Sequence, residues 1–232
     1  MAEFDYCSRC VLCRFGERPD MKAMVEVVRL VAGERLYAAG DRPAYVYCVR
    51  RGVIGDYRVD TDDAIPSGLG GDALVDVAFA GEAVGLKGIG TPHYGSDAIA
   101  ETDAELCAVP LDVVRQRVSV APPLNDCMIR AFSAQLGRMR SLAAVRAQHY
   151  GEAGLARLLV LIAGRLSKGV TTGVICLTLP RRLLADYLGV SLSTAARQLD
   201  ALVRRRLIHV RRSRICLLDI GELMRLAGSV LP

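Results

Sequence analysis

The sequence predicts an α+β chain: an N-terminal β-roll, a long helix and a C-terminal winged helix-turn-helix. Three observations carry this reading. Glycines at 33, 40, 52, 55, 81, 85, 88 and 90 punctuate short apolar runs, the pattern of a roll or barrel made of many short strands. After Pro122-Pro123, apolar or small residues fall at Ile129, Phe132, Leu136, Met139 and Ala143; spacings of three and four place them on one seam of a long helix. Finally, RRLLADYLGVSLSTAARQLDAL precedes two apolar runs joined by Arg211-Arg212-Ser213-Arg214, two helices followed by a two-stranded wing.

Taken in order, residues 1–20 form a cysteine-rich arm, 21–120 a β-roll, 121–150 the long helix and 151–232 the winged helix-turn-helix. Strands are expected at 45–49 and 104–109, with a Gly- and Asp-rich hairpin loop at 62–76. Proline suits the start of the long helix, where its missing N–H would be unpaired in any case. The seam needs a partner, and a second copy of the chain is the expected one. An amphipathic helix follows at 152–166 and a strand at 174–179. Pro180 opens a helix ending at Tyr187. A turn at 188–191 leads to a helix at 192–205, wing strands at 207–210 and 215–218, and a last helix at Ile220–Ala227. The 232 residues and 52% hydrophobic content allow packed domains and exclude a disordered chain. With no Trp and few aromatics, small and branched apolar residues must fill the core.

Charge is placed unevenly. Residues 176–217 carry nine arginines, no lysine and two aspartates, net +7. The whole chain is +5, so the other 190 residues sum to −2. One polyanion-binding end follows. Within it, Ala185 is small where two helices cross, Gly189 can take positive φ in the turn, and Ser191 can cap the second helix. Ser193, Thr194 and Arg197 then lie on the first two turns of a recognition helix, where side chains reach base edges. Arg197 can bond guanine O6 and N7 together. Arg181, Arg182, Arg204 and Arg212 would grip phosphates of double-stranded DNA.

The N-terminus MAEFDYCSRC has acids and no apolar signal region, and the most apolar run, 158–164, is far short of the roughly 20 residues that span a bilayer. A cytoplasmic protein with no membrane partner is expected. In that reducing compartment eight cysteines favour metal ligation or redox sensing over a disulfide framework. Cys7, Cys10 and Cys13 make a C-x2-C-x2-C loop, the first part of a ferredoxin-type cubane site completed by a remote fourth cysteine; Arg9 and Arg14 would offset its thiolates. Zinc is the alternative, since four thiolates also satisfy it, but its structural sites usually come as two paired motifs and no second pair exists here. A site with no metal is the remaining option. Cys48, Cys127, Cys176 and Cys216 read as small buried hydrophobes. No P-loop, GxGxxG or paired-carboxylate motif suggests an enzyme.

The order of roll, long helix and winged helix-turn-helix resembles the CRP/FNR superfamily of bacterial regulators across nearly the whole chain. The phrases FAGEAVGLKGIG, ELCAVP, LARLLVLIAGRL, LADYLGVSLSTAARQL and LAG look like its FNR branch. The resemblance implies a cyclic-nucleotide-binding-like jelly roll, a dimerisation helix using the seam from Ile129 to Ala143, and a homodimer on a palindromic DNA site that addresses RNA polymerase. It also implies a [4Fe-4S] cluster held by Cys7, Cys10, Cys13 and Cys107, with Cys107 where the roll supplies its ligand, and a response to oxygen or redox state. Nitric oxide, haem or a small ligand are alternative signals; a zinc-stapled or electron-transfer protein is the reading from another class.

The chain departs from the family pattern in three places. Its third arm cysteine lies closer to the second than in FNR proteins. Where the family has Glu-x-x-Ser-Arg on the recognition helix, this chain has Ser193, Ala196 and Arg197. Leu86 and Gly95-Ser96 stand where the cyclic-nucleotide branch keeps its Glu and Arg-Ser pair.

Overall fold

The computed structural model describes residues 25–58, 73–118, 122–147, 151–167 and 174–228. Cys7, Cys10 and Cys13 lie outside the described residues, as does the loop expected from 62 as far as residue 72. The chain divides into two compact units, Met1–Met139 and Arg140–Pro232.

The first unit holds β1 (Glu26–Leu30), β2 (Arg35–Tyr37), β3 (Tyr45–Arg51), β4 (Val53–Arg58), β5 (Ala73–Phe79), β6 (Ala83–Val84), β7 (Asp97–Ala100) and β8 (Ala104–Pro110). They pair into two four-stranded antiparallel sheets, ordered β1-β8-β3-β6 and β2-β7-β4-β5. This is the jelly-roll-like arrangement expected of the first part of an α+β chain.

Alternation along β3 shows how the sheets are filled. Tyr47 and Val49 enter the core between the sheets with Ile54, Ala98, Leu106 and Ala108. Val46 and Cys48 point the other way, into a second cluster with Val109, Leu111, Val114, Leu124, Met128 and Ala131. Because both faces of β3 are covered, its sequence reads as a nearly continuous apolar run rather than an alternating one. The backbone also comes close to itself: a Cβ on Gly88 would meet Pro43 at 2.4 Å, so no larger residue fits there without movement.

Helix α1 (Leu111–Val118), which the sequence reading did not separate from the roll, and α2 (Pro122–Ala147) supply the second cluster. The expected loop at 62–76 is corrected at its end. Residues 73–76 belong to β5, where Leu74 pairs with Tyr57 and Asp76 with Asp56. An aspartate in a Gly-rich stretch reads as a loop, but Asp76 is buried because its charge is met from α2. Arg138 donates from Nε to Oδ1 at 3.0 Å and from Nη2 to Oδ2 at 2.9 Å. Gln135 Nε2 donates to Oδ2 at 3.1 Å, and Val77 N to Oδ1 at 2.8 Å.

The second unit contains the last turns of α2, then α3 (Gly151–Ser167), β9 (Ile175–Thr178), α4 (Arg181–Leu188), α5 (Leu192–Arg204), β10 (Ile208–Arg211), β11 (Arg214–Leu217) and α6 (Ile220–Ala227). Its sheet has the order β10-β11-β9. Leu155, Leu158, Leu159 and Ile162 of α3 share a buried core with Leu183, Leu184, Ala195, Leu199, Leu202 and Leu223. Gly189 closes α4 with φ 66°, and Ser191 caps α5 by accepting from Thr194 N at 3.2 Å, both as the sequence reading expects.

The end of α5 is a Schellman motif: Arg206 N bonds Val203 O at 2.9 Å and Leu207 N bonds Leu202 O at 3.1 Å. Glycine is usual in the left-handed position of that motif, yet Arg206 holds it with φ 58°. Arg212, at the wing turn, is also left-handed, with φ 55°.

One expectation about the cysteines fails. Cys48 and Cys127 are buried as read, but Cys176 and Cys216 are joined in a disulfide and are not core residues. Cys176 is exposed and Cys216 half-buried. The alternation of β9 and β11 gives the inner face to Leu177, Ile215 and Leu217, leaving both cysteines on the outer one. No helix among the described residues is long and apolar enough to cross a membrane.

Candidate functional site

Helix α5 presents Ser193 and Arg197 to solvent, with Thr194 half-buried beside them. A chain of hydroxyls runs along this face. Ser191 Oγ lies 3.0 Å from Ser193 Oγ and 2.9 Å from Thr194 Oγ1, and Arg197 Nη2 donates to Thr194 Oγ1 at 3.2 Å. The guanidinium is thus held one turn above the N-cap by a neutral acceptor, with no carboxylate to cancel its charge in these contacts. Such a group keeps its remaining N–H donors for another acceptor.

Arg181 and Arg182 open α4, Arg204 closes α5, and Arg212 stands in the wing turn; all four are exposed. Arg182 pairs weakly with Asp186, at 3.8 Å. The neighbouring Arg205 is built in instead, reaching Glu152 at 3.4 Å and Glu222 at 3.7 Å. The dense run of positive charge therefore divides into structural and outward-facing arginines, a distinction that sequence alone does not make. Sequence reasoning also missed Arg146, whose Nη2 donates to Asp186 O at 2.7 Å and whose stem lies against Gly189. It braces the turn between α4 and α5 from the end of α2.

On α2, the predicted seam is exposed. Ile129 is 55%, Phe132 41%, Leu136 56% and Met139 37% accessible, and Ala143 is also exposed. The opposite face carries Met128, Ala131, Gln135 and Arg138 inward. Four large apolar side chains on one solvent-facing stripe form a patch of the kind that marks an interaction surface.

Among the described residues, Cys107 is the one member of the proposed cluster ligands, and no group of three or more potential metal ligands occurs. On β8, Leu106 and Ala108 enter the core between the sheets, whereas Val109 joins the outer cluster. Alternation puts Cys107 on the outer face with Val109. Its strand neighbours are Cys48 on β3 and Val27 on β1. It is partly accessible and not in a disulfide. A thiol in that position suits a ligand shared with a separate segment, because it is not locked into the interior of the roll.

The interior holds a polar group that sequence reasoning passed over. Lys87 Nζ bonds Asp56 Oδ2 at 2.7 Å and Ser96 Oγ at 2.8 Å. Ser96 belongs to the stretch that the resemblance sets against the Arg-Ser pair of the cyclic-nucleotide branch, and here it bonds a lysine paired with an aspartate. Tyr37 stacks on Tyr94 at 3.7 Å. Burial pushes the Tyr37 hydroxyl well above the usual phenol range, with Asp56 adding to the effect, and burial pushes Tyr47 up to about 12. These phenols stay neutral at physiological pH.

Comparison with known proteins matches residues 27–119 to the cyclic nucleotide-binding domain family and residues 155–226 to the Crp-like helix-turn-helix domain family. The transcriptional regulatory protein btr of Bordetella pertussis is 26% identical, over 96% of this chain and 93% of its own length. The fumarate and nitrate reduction regulatory protein of Vibrio cholerae is 25% identical, over 84% of this chain and 76% of its own length. The structure of FixK2 from Bradyrhizobium japonicum superposes with a TM-score of 0.74 at 18% identity, over 89% of this chain and 99% of that one.

Proposed function

We propose that this chain, a transcription regulator of the CRP/FNR type rather than an enzyme, binds palindromic DNA in response to oxygen or redox state through a [4Fe-4S] cluster. Cys7, Cys10, Cys13 and Cys107 would hold the cluster, whose chemistry when bound is conversion or loss on oxidation. One observation carries the sensing half: Cys107 sits partly accessible on the outer face of the roll, on the face that also carries the cluster of apolar residues from α1 and α2. The fumarate and nitrate reduction regulatory relative, at 25% identity, supports the same reading.

Ser193, Thr194 and Arg197 would read base edges, while Arg181, Arg182, Arg204 and Arg212 would hold phosphates. The seam from Ile129 to Ala143 would join two copies, so that each reads one half-site, with centres about 34 Å apart. The dimer would work in the cytoplasm and address RNA polymerase from the promoter.

Two outcomes check this. Anaerobically purified protein should contain iron and acid-labile sulfide in equal amounts, and Cys107→Ser should lose most of both while keeping its fold, since its side chain is not part of the core between the sheets. Absence of iron in the unmodified protein, or DNA binding indifferent to oxygen, would overturn the sensing half. For the reader, Arg197→Ala should lower affinity for the preferred duplex by about 1–3 kcal/mol, roughly five- to 150-fold, and relax selectivity at one base pair. Arg212→Ala should weaken all duplexes alike and flatten the slope of log K against log salt by about one. Gel shifts across a salt series separate the two patterns.

A second reading, a small polar ligand in the roll, is favoured by Tyr37 Oη and Asp56 Oδ1. Both are buried and make no hydrogen bond, a costly state for polar atoms. Thermal shifts in the presence of cyclic nucleotides distinguish it; the cluster reading expects none.

A further inference from the structure

We infer that Cys176 and Cys216 form a reversible thiol–disulfide couple that sets how firmly the wing arginines are presented. This rests on the DNA-binding reading above for its consequence, though not for its chemistry. Cys176 on β9 lies directly opposite Cys216 on β11, 40 residues away in sequence, and the two sulfurs are bonded. Their neighbours Leu177, Ile215 and Leu217 are buried on the inner face. The sulfurs occupy the outer face, with Cys176 exposed. The packing that builds this sheet therefore does not depend on the bond, and a small oxidant or reductant reaches it without unfolding.

Its position gives it leverage. β9 leads through Leu179 and Pro180 into α4, the first helix of the helix-turn-helix. β11 begins after the wing turn, which carries Arg212 and is flanked by Arg211 and Arg214. Besides the strand ladder, Leu179 N bonds Ser213 O in that turn at 2.8 Å. The disulfide adds a covalent tie between the strand entering the reader and the strand leaving the wing. In a reducing cytosol an exposed disulfide is a transient element rather than a permanent staple.

The chemistry balances with a hydroperoxide as oxidant and a dithiol as reductant. The Cys176 thiolate attacks the peroxide: an S–O bond forms, the O–O bond breaks, and the alcohol (or water, from hydrogen peroxide) leaves with a proton. The Cys216 thiolate then attacks the sulfenic sulfur, forming S–S and releasing hydroxide, which takes up a proton to leave as water. Two electrons pass from the two thiols to the peroxide. A dithiol returns them by exchange and ends as its own disulfide.

In the oxidised state the wing is fixed against the strand that feeds α4, and its arginines meet phosphates in one arrangement. In the reduced state the ladder alone holds it, and ordering those side chains falls to the binding step. The oxidised protein is expected to bind a duplex roughly three- to tenfold more tightly.

The test uses full-length protein, anaerobic, poised in dithiothreitol buffers of graded oxidation, with thiols trapped by alkylation and peptides mapped by mass spectrometry. A Cys176–Cys216 linked peptide should disappear in reducing buffer and return with stoichiometric hydrogen peroxide. Affinity for a palindromic duplex is measured in the same buffers for the unmodified protein and Cys176→Ser. Effects that arise at the arm appear in both, so the difference between them reports the wing pair. The unmodified protein should lose its tighter binding on reduction, and Cys176→Ser should bind like the reduced form throughout. A link that never forms, or never yields to the dithiol, overturns the reversible couple. A link that forms and breaks with no change in affinity overturns its control of the wing. Protein that binds no duplex in any buffer removes the DNA reading and the coupling with it, while the linked peptide still decides the thiol chemistry.

Discussion

Replacing Asp76 by alanine should destabilise the roll by about 3–5 kcal/mol, the largest effect expected of a single substitution outside the hydrophobic core. The aspartate and Arg138 are both buried, and two charge-assisted hydrogen bonds join them. Removing the carboxylate takes both charge-assisted hydrogen bonds from a buried guanidinium, to which Ala83 O at 3.3 Å and the more distant Glu82 at 3.9 Å offer weaker compensation. Gln135 and Val77 N each lose one hydrogen bond at the same time. Exchanging the pair as a whole should cost much less: the double variant Asp76→Leu with Arg138→Met removes both charges together, and such apolar replacements of buried pairs are often near neutral. Urea unfolding of the two single variants and the double variant forms the cycle that checks this. A loss of under 1 kcal/mol for Asp76→Ala would show that water reaches the pair and that it does not hold α2 to β5.

The second large effect is expected at the exposed stripe of α2. In the dimer proposed above, Leu136→Glu, or Phe132→Glu, should raise the dissociation constant by about two orders of magnitude or more, because an apolar seam cannot bury an unpaired carboxylate without a cost of several kcal/mol. The fold of the single chain should be untouched, since Leu136 is 56% and Phe132 41% accessible in it. Specific DNA affinity should fall with dimerisation, as a monomer engages one half-site and loses the gain from tethering. Sedimentation equilibrium reads the first consequence, thermal melting the second and gel shifts the third. An intact dimer in the charged variant would mean that these side chains cover some other surface.

Legibility in the sequence followed locality. The helix-turn-helix could be read almost to the residue because its signals are short-range: Gly189 at the turn, Ser191 at the cap, and leucines three and four apart. The roll could be read only as a class. Its order, with β8 between β1 and β3, depends on pairs far apart in sequence, such as Val46 with Val109, and no local pattern encodes that register. Buried polar residues misled for the same reason. Asp76 looks like part of a loop until Arg138, 62 residues later, arrives to neutralise it.

The cysteines divide in the same way. Cys48, between apolar residues of its strand, and Cys127, which begins the apolar run Met128-Ile129 on its helix, read correctly as buried. Cys176 and Cys216 also sit in apolar runs, but the face each occupies is decided by the sheet they share. Of the proposed cluster ligands, the arm's spacing was legible and the position of Cys107 on the roll came from resemblance. The structure adds which face of the sheet Cys107 takes.

Both residues other than glycine that adopt left-handed backbone among the described residues are arginines, Arg206 and Arg212, and both lie in the positively charged unit. Glycine would relieve about 1–3 kcal/mol of conformational cost at each, and it would remove a cation. At Arg212, proposed above to hold a phosphate, backbone relief and grip on DNA thus pull in opposite directions. A lineage evolving toward heat would drift to glycine at both positions, and the proposed phosphate contact would hold arginine against that drift at 212 alone.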